Sequence, residues 1–176
     1  MPGMKTEKLV VSIQSAAALL LVGLCFLVAD SLRERVVSVG DRAPRFDVTT
    51  DSGKRLTASD FGGKVLVLNF WATWCPPCVD EMPSLQAMAQ QLAPKGVVVL
   101  GVSVDRNQAA YRRFLQQARI SFPTARDPGS DISAEHGTFK YPETYVIDSQ
   151  GRVRQKHIGP RDWLDADLVK SIESLL

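Results

Sequence analysis

The sequence predicts an α/β domain with a parallel or mixed β-sheet covered by helices on both faces, preceded by one membrane-spanning segment. Three observations carry this expectation. KVLVLNF at Lys64–Phe70 and VVVLGVSV at Val97–Val104 have the length and apolar continuity of strands buried on both faces. Stretches with apolar residues at helical spacing alternate with them, which is the pattern of a helix-covered sheet. Leu9–Ala29, LVVSIQSAAALLLVGLCFLVA, holds 21 residues without a charge. At a rise of about 1.5 Å per residue, a helix of that length spans roughly 30 Å, the thickness of a bilayer core.

The elements follow in order. Residues 1–8 precede the apolar run, 9–29 form the anchor, 30–43 read as a polar tether, and 44–176 form the globular domain. A cleaved signal peptide fits less well than an anchor. Leu27 stands where a cleavage site needs a small residue, and Leu24 where lipid attachment at Cys25 needs one. Lys5 and Lys8 before the run nearly balance Arg33 and Arg35 after it, so flanking charge does not orient it. Phe46–Thr49 alternates like a strand, and Asp51-Ser52-Gly53 is turn chemistry. After the strand at Lys64–Phe70, Val79, Met82, Leu85, Met88 and Leu92 recur at three and four residues, so Cys75–Leu92 is an amphipathic helix. The strand at Val97–Val104 precedes a helix over Tyr111–Ala118, a short strand at Phe122–Thr124 and a turn at Pro128-Gly129. Thr144–Ile147 and Arg152–His157 are strands joined by the turn Asp148–Gly151, and Asp165–Leu176 is a closing helix.

The 176 residues allow one ordinary domain plus an extension. The chain is 45% hydrophobic and 23% charged, a globular composition. Its net charge is only +2, with Lys and Arg scattered among Asp and Glu, which argues against a nucleic-acid partner.

Two of the three cysteines, Cys75 and Cys78, stand three residues apart with only prolines between them. A disulfide here closes so short a loop that it removes little entropy from the unfolded chain, a poor reason for a staple. A metal site needs about four ligands. The pair supplies two, and His136 and His157 are not ligand-spaced; neither histidine is assigned a role. A redox pair accounts for more. The cysteines follow a buried strand and open a helix, where free N–H groups and the helix dipole favour the attacking thiolate. Cys75, at the very start, is expected to be exposed and nucleophilic, and Cys78, further in, to resolve the mixed disulfide. Pro76 and Pro77 suit a first helical turn, whose N–H groups lack partners anyway.

NFWATWCPPCVDEMP, Asn69–Pro83, resembles the active-site segment of the thioredoxin superfamily. Within it, residues 40–176 are most similar to the membrane-anchored TlpA/ResA-like thiol–disulfide oxidoreductases, including the cytochrome c maturation type. YPETYVID at Tyr141–Asp148 resembles the family's cis-proline segment, and HIG at His157–Gly159 its last strand. The chain departs from commoner family patterns at Asn69, where thioredoxin has a buried Asp, and at His136 and Lys140, in place of a tyrosine and a glycine.

The resemblance implies a thioredoxin-like fold, a central mixed sheet flanked by helices, with an N-terminal transmembrane helix. It implies that Cys75 and Cys78 are catalytic, that Glu81 accepts the Cys78 proton, and that a cis Pro142 exposes the Tyr141 backbone to an extended substrate. Trp74, beside Cys75, belongs to the docking surface. The implied activity is reduction of protein disulfides, such as that of apocytochrome c, with no cofactor beyond the Cys75–Cys78 disulfide itself. A membrane electron carrier would recharge the pair. The implied location is the inner membrane, single-pass through residues 9–29, with residues 1–8 cytoplasmic and the domain in the oxidising periplasm. Two alternatives remain: a thioredoxin-fold peroxidase and a copper-delivery protein. The first lacks a Pro-x-x-x-Thr-x-x-Cys loop, since Thr73 is two residues before Cys75; the second usually uses CxxxC rather than CxxC.

Overall fold

The structure, a computed structural model, describes residues 17–28 and 36–176. They fall in two units, residues 1–34 and 35–176. In the first, residues 17–28 form a helix, α1, with exposed side chains. Among the described residues no helix is long and apolar enough to cross a membrane. The span expected over residues 9–29 lies outside them at residues 9–16 and at residue 29, as does the tether over residues 30–35.

The second unit is an α/β domain. Its strands are β1 (Asp47–Thr49), β2 (Arg55–Thr57), β3 (Val65–Trp71), β4 (Val97–Ser103), β5 (Thr124–Arg126), β6 (Glu143–Ile147) and β7 (Val153–Ile158). Its helices are α2 (Pro76–Leu92), α3 (Gln108–Ala118), α4 (Asp131–Glu135) and α5 (Ala166–Glu173). β1 and β2 form an antiparallel pair; the main sheet runs β5-β4-β3-β6-β7. β3 pairs parallel with β4 and antiparallel with β6, so the sheet is mixed.

β3 is the central strand, and all seven of its residues are buried. Alternation along it divides the core. Val65, Val67 and Trp71 face one cluster with Cys78, Met82, Leu85, Met88, Trp163 and Ile172. Leu66, Leu68 and Phe70 face the other, with Phe46, Val48, Leu56, Tyr145 and Ile147. By the same alternation Asn69 shares the side of Val67 and Trp71, where α2 packs.

Several boundaries differ from the sequence reading for local reasons. α3 starts at Gln108 because Asn107 caps it, its side chain accepting the Ala110 N–H at 3.1 Å. β5 begins at Thr124 rather than Phe122; Pro123 has no N–H to give a ladder and only accepts, from Gly101 N–H at 3.0 Å. β2 and α4 were not anticipated, being too short to show a period. Residues 37–43, read as tether, pack on the domain: Val37 is buried, Gly40 N–H donates to the Val153 carbonyl (2.8 Å), and Val153 N–H donates to the Asp41 carbonyl (2.9 Å). The chain then crosses to the other side of the sheet, where Thr50 bridges Ala125 on β5.

α4 rests on one side chain. The Asp127 carboxylate accepts the N–H groups of Asp131 (2.9 Å), Ile132 (3.0 Å) and Ser133 (3.0 Å). Asp127→Ala leaves three donors at the helix start without that acceptor and should lower stability by about 2 kcal/mol. The exposed Asp131→Asn should change it by less than about 0.5 kcal/mol. Urea midpoints of the two variants measure the contrast.

Candidate active site

The loop after β3 carries the chemistry. It is tied to the neighbouring strand's end by Asp105, which is buried just past β4. Its carboxylate accepts the Thr73 N–H (2.8 Å), the Thr73 hydroxyl (2.7 Å) and the Ser103 hydroxyl (2.6 Å). Val104 N–H donates to the Trp71 carbonyl at 3.0 Å, holding the same turn from the backbone side. Cys75 then caps α2, with Pro76 and Pro77 in its first turn, and Cys75 and Cys78 are joined by a disulfide.

The expectation of an exposed Cys75 is corrected: in this oxidised form Cys75 is only 5% exposed and Cys78 is fully buried. The disulfide ties the Cys75 sulfur back against the buried Cys78. The Cys78 N–H, a potential thiolate donor, is engaged by the Cys75 carbonyl at 3.0 Å.

Glu81, one helical turn after Cys78, is 3% exposed. Three donors converge on it from outside α2. Asn69 Nδ2 on β3 reaches Oε1 at 2.9 Å; the Arg161 N–H and the Trp163 indole N–H reach Oε2 at 3.0 and 3.2 Å. Asn69 Nδ2 also donates to Thr144 Oγ1 on β6 at 2.9 Å, while its Oδ1 meets no partner among the described residues. Burial pushes the Glu81 carboxyl above its ordinary range, and the bonds from Arg161, Asn69 and Trp163 oppose that only in part. A carboxylate with raised proton affinity one turn from a buried thiol can take that thiol's proton.

Tyr141–Pro142 is cis, with Pro142 buried. Among the described residues, neither the N–H nor the carbonyl of Tyr141 meets a hydrogen-bond partner. Tyr141 packs against the cluster that contains Cys75 and Cys78. Trp74 is 63% exposed and meets the Tyr141 ring edge-on, centroids 6.1 Å apart. Phe139 beside them is also exposed, with the Lys140 ammonium 5.8 Å from its ring centre. The sequence-derived set thus forms two groups: exposed Trp74 and half-buried Tyr141 facing outward, with Pro142, Cys75, Cys78 and Glu81 buried behind them.

Sequence reasoning missed Asp105, Thr144, Arg161 and Trp163 as site residues. Asn69 did give a signal, as the one polar residue in a run of buried apolar ones. Trp163 gave none, because it meets Glu81 from 82 residues away. Both histidines are structural: His136 is buried, its Nδ1 2.8 Å from the Ile132 carbonyl oxygen, and His157 lies edge-on to Trp163.

Comparison with known proteins gives a consistent picture. Residues 39–156 match the model of the AhpC/TSA family. The chain is 36% identical over 124 residues to the thiol-disulfide oxidoreductase ResA of Bacillus thuringiensis, covering 70% of this chain and 72% of that one. It is 34% identical over 131 residues to the thioredoxin-like protein YneN of Bacillus subtilis, covering 73% and 76%. Among solved structures, a thiol:disulfide interchange protein of the thioredoxin family from Chlorobium tepidum superposes with a TM-score of 0.68 at 29% identity, covering 77% of this chain and 98% of that one.

The raised Glu81 ionisation has a consequence for stability. In the fold Glu81 keeps its proton to a higher pH than in the unfolded chain, so the folded state binds the extra proton. The resulting stability is present below the ordinary carboxylate range and is lost as pH rises through the raised value. Glu81→Gln cannot ionise and avoids that loss. The variant should become progressively more stable than the natural protein as pH rises from the ordinary carboxylate range through the raised Glu81 ionisation. Urea midpoints across that range measure the gap; one that stays constant or reverses contradicts the assignment.

Proposed function

The chain belongs to the AhpC/TSA family and is a ResA-like thiol–disulfide oxidoreductase of the thioredoxin superfamily, and from that premise we propose that it reduces protein disulfides outside the cytoplasmic membrane. The observation that carries this reading is the Cys75–Cys78 pair at the start of α2, with Glu81 buried one turn on.

In the proposed cycle the reduced pair meets an extended substrate segment lying along the free Tyr141 backbone, with Trp74 at its side. The Cys75 thiolate attacks one sulfur of the substrate disulfide. A mixed disulfide forms, and the departing substrate sulfur takes a proton. Cys78 gives its proton to the Glu81 carboxylate and attacks the Cys75 sulfur. The Cys75–Cys78 bond forms, the mixed disulfide breaks, and the second substrate sulfur leaves as a thiolate that takes up a proton as Glu81 gives its own back. Two electrons and two protons pass to the substrate, and the pair is left oxidised, as in the structure. A membrane dithiol or other electron carrier then returns two electrons.

Anchoring through residues 9–29 is part of the proposal, supported by the uncharged run and by the exposed apolar side chains of α1. An apocytochrome c disulfide is the substrate proposed. A peroxidase reading gains nothing from the loop, where the Thr73 hydroxyl donates to Asp105 instead of facing a peroxide at a lone cysteine.

Trapping tests the cycle. Cys78→Ser should accumulate mixed disulfides with cellular proteins, because nothing resolves them, whereas Cys75→Ser should accumulate few. Equal trapping, or the reverse pattern, overturns the assignment of Cys75 as nucleophile.

The direction of transfer is read from how little beyond the α2 dipole stabilises a Cys75 thiolate. Pro76 and Pro77 offer no N–H, no His or Lys lies between the cysteines, and the Cys78 N–H is bonded to a carbonyl. A strongly oxidising pair needs an unusually stable reduced form. The reduction potential should therefore lie nearer the thioredoxin value of about −270 mV than the strong-oxidant value of about −120 mV. Equilibration with glutathione or dithiothreitol buffers measures it, and a value above about −180 mV contradicts a reductant.

A further inference from the structure

The segment between β7 and α5 lies far along the chain from the CxxC motif, yet it grips α2 at two places one turn apart. Its Arg161 N–H and Trp163 indole N–H both end on Glu81 Oε2, at 3.0 and 3.2 Å. The Trp163 backbone N–H donates to Ser84 Oγ at 3.2 Å, and that hydroxyl donates to the Glu81 carbonyl at 2.9 Å. Trp163 is fully buried in the cluster that also holds Cys75 and Cys78. A buried indole needs an acceptor for its N–H, and a neutral carbonyl would serve for packing alone. Here the acceptor is a buried carboxylate one helical turn from Cys78.

We propose that Trp163 is a positioning residue of the redox centre: with the Arg161 N–H, its indole N–H holds the Glu81 carboxylate in place and favours its ionised form, so that the β7–α5 segment governs when Glu81 can take the Cys78 proton. This rests on the reading of Glu81 as the proton acceptor. The other neighbours of Glu81 leave the segment this influence. Asn69 on β3, which bonds it, and Thr144 on β6, which Asn69 bonds in turn, are neutral. Asp80 on α2 and Arg161 and Asp162 in the segment line a cleft of about 460 Å³ shared with Glu81, Pro83 and Ser84. That cleft is a route by which the Glu81 proton reaches water. His157 on β7 stands edge-on to the Trp163 ring, 5.7 Å away, and burial lowers its proton affinity, so it stays neutral near pH 7.

The test uses the full-length chain in detergent. The reduced protein is treated with a chromogenic aryl disulfide, whose exchange at Cys75 leaves one aryl group in a mixed disulfide and frees the other as thiol; release of the second aryl thiol by Cys78 is then timed across pH. The natural protein should show an inflection from Glu81, and Glu81→Gln should remove it. Trp163→Phe keeps the ring and loses the donor; its inflection should move up by about one pH unit, tenfold in proton affinity. Combined with Glu81→Gln, it should add no pH dependence. A profile unchanged in Glu81→Gln overturns the reading of Glu81 itself. An inflection present in the natural protein, lost in Glu81→Gln and unmoved in Trp163→Phe overturns only the role of Trp163. Should Trp163→Phe not fold, the natural protein decides: the indole N–H proton resonance of Trp163 should shift with pH alongside the Glu81 inflection and stay still in Glu81→Gln. A resonance indifferent to pH in both overturns the proposal.

Discussion

Keeping the Glu81 carboxyl out of water constrains much of the arrangement around it. An ionised group buried without partners costs far more than a domain's margin of stability allows. Three donors therefore have to arrive from separate parts of the chain, and each arrival fixes an element. Asn69 fixes β3 against α2 and, through Thr144, ties in β6. The Arg161 and Trp163 donors bring the segment after β7 across α2 before α5 can begin. The redox pair stands at the end of the helix that this network immobilises.

The Asp105 bonds to Thr73 complement that constraint from the other side. Glu81 holds the body of α2; Asp105 holds the loop that leads into it. The two buried carboxylates thus hold different parts of the site, one accepting bonds from the loop before Cys75 and the other from three elements around α2. Neither cysteine depends on a long flexible side chain for its position. The ordering cost of meeting a substrate therefore falls mainly on the substrate.

How much of this was visible in the sequence varied with the range of the interaction. The central strands, α2 and the β6–β7 hairpin were legible because each is written in a local period or a turn signal. The cysteine pair was legible through its spacing and its place between strand and helix. β2 and α4 were not, because three to five residues carry no period and α4 is held by Asp127 rather than by its own pattern. The tether boundary was misplaced because residues 37–43 mix apolar, small and polar side chains without a period and dock through their backbone, which composition does not report. Asn69 could be singled out as an anomaly, but its partners could not, since Glu81, Thr144 and Trp163 meet only once the sheet has formed.

The strap at residues 37–50 has one more effect. Its first part pairs with Val153 at the start of β7, and its last residue bridges β5, so each outer strand of the main sheet has a backbone neighbour from the same segment. An uncovered outer strand is a template for any unpaired chain. Along the rest of β7, Arg154 and Lys156 put charged side chains on the outer strand. Cover at the start of β7 and on β5, with charge along the remainder, makes the sheet's sides poor templates for a second chain.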